Sequence, residues 1–229
     1  TYHTGPGPAT ARLKLEFEFA TRPVHNVIAE VRGSDFPDQW VIYGNHHDAW
    51  VYGAVDPSSG TASMLETARA LDLLVKQGFR PRRTILLASW DAEEYTLMGS
   101  TEWGEQFEDE LRKNAVVCLN VDASTSGQDF TVSAVPSLLP AIIEAAQVVR
   151  DPATGRSVYE RWRDPARREE RSVRSYAVPG AGAAPVPFGL LGGGSDYMVF
   201  LQHLGVPSLD MLFDGPYGVY HSVYDDFLW

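Results

Sequence analysis

The order of apolar and polar residues along the chain predicts an α/β protein. Alternation over residues 13–19 (LKLEFEF), repeated more weakly over 25–31, is typical of half-exposed strands and predicts an antiparallel edge to a sheet. Short continuous apolar runs predict buried strands at 40–43, 84–88, 115–121, 131–134 and 206–213. Apolar spacing and turn residues predict helices at 61–77, 101–113, 138–149 and 192–203. The expected fold is a three-layer α/β sandwich, with a mixed central β-sheet flanked by helices.

Three features refine this outline. Ser58 or Ser59 is expected to cap the first long helix. Residues 1–23 are predicted to be a linker or N-terminal remnant, and residues 24–229 to form the globular domain. Residues 151–187 are charged, arginine-rich from 161 to 174, and then rich in proline, glycine and alanine. We interpret this segment as an excursion over the face that carries the site, with solvated arginines.

Acids and histidines follow the predicted parallel strands. The apolar run at 85–88 leads to Asp91, Glu93 and Glu94, the run at 40–43 leads to a His-His-Asp sequence, and the run at 115–121 ends at Asp122. In open α/β sheets, ligands bind beyond the carboxyl ends of the strands. Each acid taken alone is equally compatible with a helix first turn, where a carboxylate complements the dipole.

Taken together, these side chains predict a metal centre. The candidate set consists of two histidines and four carboxylates: His46, Asp56, Glu93, Glu94, Asp122 and His221. Imidazole and carboxylate groups are both good zinc ligands, and one carboxylate can bridge two ions. Two zinc ions would use five of the six residues and leave the sixth for proton transfer. His47 is an alternative to its neighbour as a ligand, and Asp48 could orient a ligand histidine.

The overall composition argues against some classes of binding partner. The net charge of −11 over 229 residues argues against nucleic acid or an anionic membrane surface as a partner. Cys118 is the only cysteine, so an internal disulfide is impossible and the thiol is expected to be a small buried hydrophobe. No apolar run reaches the length that spans a bilayer.

Several sequence motifs resemble one known family. The strings are GNHHDAWVYGAVDPSSG (44–60), RPRRTILLASWDAEE (80–94), GSTEW (99–103), LNVD (119–122), GGGSDY (192–197) and YHSVYD (220–225). In order and spacing they are similar to the catalytic domain of the co-catalytic zinc exopeptidases, the family of glutamate carboxypeptidase II and the transferrin receptor. The resemblance implies the zinc-exopeptidase fold, and it identifies residues 24–229 as the zinc peptidase catalytic domain.

The resemblance also implies a role for each site residue. His46 and Asp122 would hold one zinc, Glu94 and His221 the other, and Asp56 would bridge the two ions. Glu93 would be the general base and acid, Tyr220 would stabilise the oxyanion, and Asp48 would support His46. Glu102 and Glu105 match half of a calcium site whose other half lies upstream of residue 1, so this chain supplies only half of that site.

Departures from the family pattern bear on specificity. Glutamate carboxypeptidase binds an acidic residue on the amino side of the scissile bond through arginines, and the matching strand here (208–213, SLDMLF) has none. Ser195 replaces an asparagine near the substrate. Asp210 is a candidate for attracting a free amino terminus, although a carboxylate at a strand end is also often simply solvated. An acidic preference is therefore not expected.

The sequence thus predicts a di-zinc exopeptidase that hydrolyses a terminal peptide bond of short peptides, as a carboxypeptidase or an aminopeptidase. One alternative is a non-catalytic relative like the transferrin receptor, which would have lost zinc ligands that are all present here. The other is a zinc-dependent amidohydrolase or glutaminyl cyclase. The resemblance implies homodimerisation through a helical domain beyond this chain, an apical domain before it, and a secreted, periplasmic or membrane-anchored location.

Overall fold

A mixed six-stranded β-sheet forms the centre of the fold. The computed structural model describes residues 5, 7, 10–164, 175–176 and 186–229. The strands are β1 (Val27–Val31), β2 (Phe36–His46), β3 (Arg83–Trp90), β4 (Ala115–Asn120), β5 (Asp129–Ala134), β6 (Ser175–Tyr176), β7 (Val186–Pro187) and β8 (Ser208–Asp214). The main sheet has the order β1-β3-β2-β4-β8-β5, whereas β6 and β7 pair separately. Strands β3, β2, β4 and β8 are parallel, and the two edge strands are antiparallel to their neighbours.

Helices cover the sheet. They are α1 (Ser58–Lys76), α2 (Met98–Gln106), α3 (Glu108–Asn114), α4 (Leu139–Val148) and α5 (Val158–Trp162), with a π-helical turn at Val199–His203. Side chains of successive strand residues point to opposite faces, so both faces of the inner strands need cover. The predicted α/β class, with a mixed sheet and flanking helices, is confirmed. No helix in the described part of the chain combines the length and apolarity needed to cross a bilayer.

Two buried clusters hold these layers together. The first packs the inner strands against α2, α3 and the π-helical turn, around the fully buried side chains of Trp90, Leu111 and Phe200. The second packs β5 and β8 against α4 and α5, with Leu139 and Trp162 among its members. Cys118 lies inside the first cluster, which confirms the prediction that it is a buried hydrophobe.

The predicted strand at 13–19 is wrong. Residues 10–26 adopt no regular structure, and the apolar side chains of the alternating segment are exposed, from 60% at Leu15 to 95% at Phe19. A strand needs a hydrogen-bonding neighbour, and the edge strand β1 pairs with β3 alone among the described strands. The alternating pattern at 13–19 is thus typical of a strand, but none of the described strands lies beside this segment to pair with it. The antiparallel edge predicted from 25–31 is confirmed as β1.

The helix predictions need three corrections. The helix expected at 101–113 is interrupted at Phe107, which separates α2 from α3. The region 192–203 is regular only near its end, around the π-helical turn. Neither predicted serine caps α1, because its N-cap residue is Pro57. The Ser59 hydroxyl instead donates to the Val55 carbonyl at 2.6 Å and accepts the N–H of Ser124 at 3.0 Å, which joins α1 to the loop after β4.

The described first part of the segment 151–187, residues 151–164, is more structured than predicted. A capping box at Ser157 and Glu160 starts α5. Arg161 is only 8% exposed and pairs with Asp151 and with Asp129, so the expectation of a solvated arginine is wrong at this position. A buried guanidinium is tolerated because two carboxylates neutralise it. The arginines at 167, 168, 171 and 174 lie outside the described residues.

Candidate metal centre

The sheet topology brings the predicted ligands to one edge. In the parallel pairs, His46 at the end of β2 lies opposite Trp90 at the end of β3, and Gly44 lies opposite Asn120 at the end of β4. Residues that follow β3 and β4 therefore emerge beside His46. The first turns after these strands carry Glu93, Glu94 and Asp122.

Six candidate side chains form two groups at this edge. The inner trio contains His46, Glu93 and Asp122, and the outer trio contains Asp56, Glu94 and His221. Within each trio the potential ligand atoms lie within 4.8 Å of one another. The inner trio therefore includes Glu93, the residue expected to transfer protons, next to the two expected ligands of the first zinc.

Asp56 connects the two trios. Its Oδ1 atom is 3.1 Å from Nε2 of His46, and its Oδ2 atom is 3.2 Å from Nε2 of His221. One carboxylate oxygen is thus directed to each histidine. This is the geometry in which a carboxylate can bridge two ions.

The donor set fits divalent metal ions. The Oε1 atom of Glu94 lies 3.2 Å from Nε2 of His221, yet this buried oxygen accepts no hydrogen bond from the described residues. A buried carboxylate oxygen without a partner carries a large desolvation cost. The imidazole nitrogens and carboxylate oxygens gathered here are among the groups that bind zinc in proteins.

The electrostatics of the inner trio also favour a cation. Burial opposes the protonated form of His46, but hydrogen bonds to Asp48 and Asp56 and the charge of Asp122 outweigh burial and raise the His46 pKa to about 11. Burial, together with the charges of Asp122 and Asp196, raises the Glu93 pKa to about 8 against the opposing effect of His46. The His46 shift therefore comes from the carboxylates around it, whereas the Glu93 shift comes mainly from burial, with neighbouring carboxylates adding to it.

Asp48 contacts both the histidine and the two glutamates. Its backbone carbonyl is 2.9 Å from Nδ1 of His46, and its Oδ1 atom is 3.5 Å from the same nitrogen. The Asp48 carboxylate also accepts the backbone N–H groups of Glu93 at 2.9 Å and Glu94 at 3.1 Å. By contrast, His47 points toward Ser89, with its Nδ1 atom 2.9 Å from the hydroxyl, and belongs to neither trio.

Ser195 and Asp210 meet at a residue that the sequence did not single out, Asn120. The Nδ2 atom of Asn120 is 2.7 Å from the Ser195 hydroxyl and 3.1 Å from a carboxylate oxygen of both Asp122 and Asp210. Burial and the charge of Asp122 raise the Asp210 pKa to about 7. Asp210 is thus half-buried beside the inner trio and accepts a hydrogen bond from Asn120.

Aromatic rings surround His221 at the outer trio. The Tyr220 ring stacks on the imidazole with centroids 3.7 Å apart, and the Trp50 ring lies edge-on at 6.5 Å. Burial and the neighbouring carboxylates raise the pKa of Tyr220 above its usual value, so its hydroxyl stays protonated and can donate a hydrogen bond. Glu102 and Glu105, the expected half of a calcium site, are exposed on α2 and belong to neither trio.

Close backbone packing fixes the spacing between the elements that carry Asp56 and Asp122. The Asn45 amide donates to the carbonyls of Val121 at 2.9 Å and Asp122 at 3.1 Å. At Gly60, near the start of α1, a Cβ atom would lie 2.2 Å from the Asp122 carbonyl oxygen. Asn45 and Gly60 both lie in the 44–60 string, but their roles depend on contacts that are distant in sequence.

Known proteins with similar sequences are peptidases by name. The model of "Peptidase family M28" matches residues 26–228. The chain is 48% identical over its whole length to "Probable glutamate carboxypeptidase LAMP1" of Arabidopsis thaliana, of which it covers 31%. It is 39% identical over 99% of its length to "Aminopeptidase NAALADL1" of Rattus norvegicus, of which it covers 32%. The chain thus spans about a third of the length of these relatives.

Solved structures share the fold at low sequence identity. A zinc aminopeptidase of Bacillus subtilis superposes with a TM-score of 0.59 at 19% identity, over 88% of this chain and 44% of the aminopeptidase. A glutaminyl cyclase of an Acidobacteriales bacterium superposes with a TM-score of 0.58 at 20% identity, over 88% of this chain and 65% of the cyclase. Matches at this identity establish the architecture alone. The sequence match over almost the whole chain shows that the protein belongs to peptidase family M28.

Proposed function

We propose that this chain is the catalytic domain of a di-zinc exopeptidase that hydrolyses a terminal peptide bond of short peptides. The observation that carries the proposal is Asp56, whose two carboxylate oxygens each face the histidine of a different trio. In this proposal His46 and Asp122 hold one zinc, Glu94 and His221 hold the other, and Asp56 bridges them. The buried Glu94 oxygen, which accepts no hydrogen bond from the described residues, supports a metal ion at the outer trio.

The chemistry divides between the metal ions and the protein. Two zinc ions, when bound, supply an acidified water and polarise the substrate carbonyl. Glu93 accepts the proton from the attacking water and returns it to the leaving amine, a role that its position within the inner trio supports. Tyr220 donates a hydrogen bond to the oxyanion, and the stacking of its ring on His221 supports this placement.

The site favours a substrate without an acidic residue at the scissile bond. Strand β8 supplies Asp210 and no arginine at the position that faces Asn120 and Ser195. Carboxylates outnumber histidines at the centre, and Asp210 is not needed as a zinc ligand. An additional carboxylate near the reacting bond would repel an acidic side chain and attract a free amino group.

Zinc content and end specificity test the proposal together. The protein is purified without chelator, its metal content is measured by mass spectrometry, and hydrolysis of a panel of amino-terminal and carboxy-terminal model peptides is followed. We expect close to two zinc ions per chain and cleavage that stops when a chelator is added. Protein without bound zinc would refute the peptidase and favour a receptor-like relative. A single zinc with cyclisation of N-terminal glutamine would favour the glutaminyl cyclase alternative.

A further inference from the structure

The final loop of the chain reaches the segment that carries Asp56 through one buried carboxylate. Asp225 is 1% exposed. Its Oδ1 atom accepts the N–H of Val55 at 2.9 Å, and its Oδ2 atom accepts the N–H of Asp56 at 3.3 Å. The hydroxyl of Tyr217 donates to the same Oδ2 atom at 2.8 Å. The backbone carbonyl of Asp225 accepts a fourth hydrogen bond, from the N–H of Ala54 at 3.1 Å.

These contacts distinguish Asp225 from a metal ligand. It belongs to neither trio, and both carboxylate oxygens are already directed at N–H or O–H donors. Hydrogen bonds to an ionised carboxylate are shorter and stronger than neutral ones, and buried ones are stronger still. The carboxylate therefore acts on the centre through the backbone that it holds.

The position of this contact links the two trios. Asp225 holds the backbone N–H of Asp56, whose side chain lies between His46 and His221. Asp225 also lies four residues after His221, in the same loop. One side chain thus joins the loop that supplies the outer histidine to the segment that supplies the shared carboxylate.

We propose that Asp225 is a positioning residue, which fixes the Asp56 carboxylate between His46 and His221 and thereby sets the affinity of both zinc sites. Tyr217 supports Asp225 by donating a hydrogen bond to its Oδ2 atom. This inference rests on the proposed di-zinc function. A positioning role differs from general structural stabilisation in one testable respect. If Asp225 positions Asp56, loss of the Asp225 charge must change zinc binding even in protein that is still folded.

Asp151 provides a matched control. It is also a buried aspartate, 8% exposed, and it accepts hydrogen bonds from the N–H of Ala153 at 2.9 Å and the hydroxyl of Thr154 at 2.7 Å. It pairs with Arg161, and within the described part of the chain it belongs to neither trio. Asp151→Asn therefore weakens a buried hydrogen-bond network, which here also includes an arginine, without touching the Asp56 segment.

The experiment compares Asp225→Asn, Tyr217→Phe and Asp151→Asn in the full-length protein. An amide offers one acceptor oxygen where a carboxylate offers two, so Asp225→Asn leaves one of the two backbone N–H groups without an acceptor. Zinc affinity is measured by competition with a chromophoric chelator. Thermal unfolding and amide hydrogen exchange are measured on the chelator-treated proteins, so that local order at Val55 and Asp56 is read independently of zinc.

We expect Asp225→Asn to lower zinc affinity by about 10- to 100-fold, the range typical of residues that orient metal ligands, and to speed exchange of the Val55 and Asp56 amides. Tyr217→Phe should act in the same direction with a smaller change. Asp151→Asn should lower thermal stability and leave zinc affinity as in the wild type.

Two results would overturn the inference. One is wild-type zinc affinity in Asp225→Asn, or in Tyr217→Phe if Asp225→Asn does not fold. The other is an equal loss of affinity in Asp151→Asn, which would show that zinc binding merely follows global stability. Failure of the di-zinc proposal itself is distinguishable, because the wild-type protein would then bind no zinc.

Discussion

The inner and outer trios have similar ligands and are built in different ways. His46 is the last residue of the central strand β2, and its side chain is 2% exposed. His221 lies in the final loop with a left-handed backbone (φ 55°), and its side chain is 33% exposed. The sheet itself therefore positions the histidine of the inner trio, whereas contacts between loops position the histidine of the outer trio; the two glutamates share the turn after β3. One half of the candidate centre is therefore held by a strand of the sheet, and the other half depends on the packing of the loop that carries His221.

The largest change expected is at the residue that the two halves share. Asp56→Ala removes the carboxylate that faces both histidines, so we expect loss of zinc from both sites and no measurable hydrolysis. Metal content per chain after dialysis against buffered zinc measures this. Retention of two zinc ions would show that Asp56 is not the bridge, and the two trios would then be independent sites.

Removing one histidine at a time tests the comparison directly. His46→Ala and His221→Ala should each lower the zinc content from about two to about one per chain, because each removes a ligand of one ion. Only His46→Ala should also lower thermal stability after chelator treatment, since it removes a buried side chain that contacts Asp48 and Asp56. Equal destabilisation by both variants would contradict the distinction between a rigid and a loop-built half.

Glu93→Gln separates catalysis from metal binding within the inner trio. We expect two zinc ions to remain, with a loss of hydrolysis of roughly 10²- to 10⁴-fold, because glutamine keeps the shape of the side chain but cannot transfer the proton. The measurement is kcat on the best model peptide alongside metal content. A variant that keeps its activity would mean that another group moves the proton, whereas a variant that loses zinc would make Glu93 a ligand.

The smallest change is expected at Asp48, which contacts both trios without entering either. Asp48→Asn keeps the backbone carbonyl near His46 but weakens the hydrogen bonds that the side chain accepts from the Glu93 and Glu94 amides. Zinc affinity should fall by about 10-fold or somewhat more, in both sites, with the zinc content at saturation unchanged. Chelator competition provides the measurement. A loss confined to one site would assign Asp48 to that half of the centre alone.

Sequence patterns predicted the parts of the molecule that depend on local composition. Apolar runs predicted the central strands because a strand that is buried on both faces is apolar at successive positions. The general observation that ligands bind beyond the carboxyl ends of parallel strands grouped His46, Glu93 and Asp122 as candidates. The break at Phe107 was missed because it depends on tertiary packing, in which Phe107 lies against the first buried cluster.

The parts that were not predicted depend on contacts between distant residues. Asn120 and Ser195 are 75 residues apart, and Asp225 and Val55 are 170 residues apart. Nothing in the local sequence of an asparagine or aspartate indicates which backbone or side chain it will meet. The ligands of the centre can therefore be proposed from the sequence, whereas the residues that hold those ligands in place become visible only in three dimensions.

The close approach at Gly60 limits how this centre can vary. A methyl group there would overlap the Asp122 carbonyl and also the Asn45 amide, at 2.2 and 2.4 Å. Relief of that overlap would push the start of α1 away from the end of β4 and so change the distance between two ligands. In a saturation mutagenesis screen scored for hydrolysis, position 60 should tolerate substitution as poorly as a zinc ligand. A residue with no functional group would thus be as constrained as the residues that bind the metal.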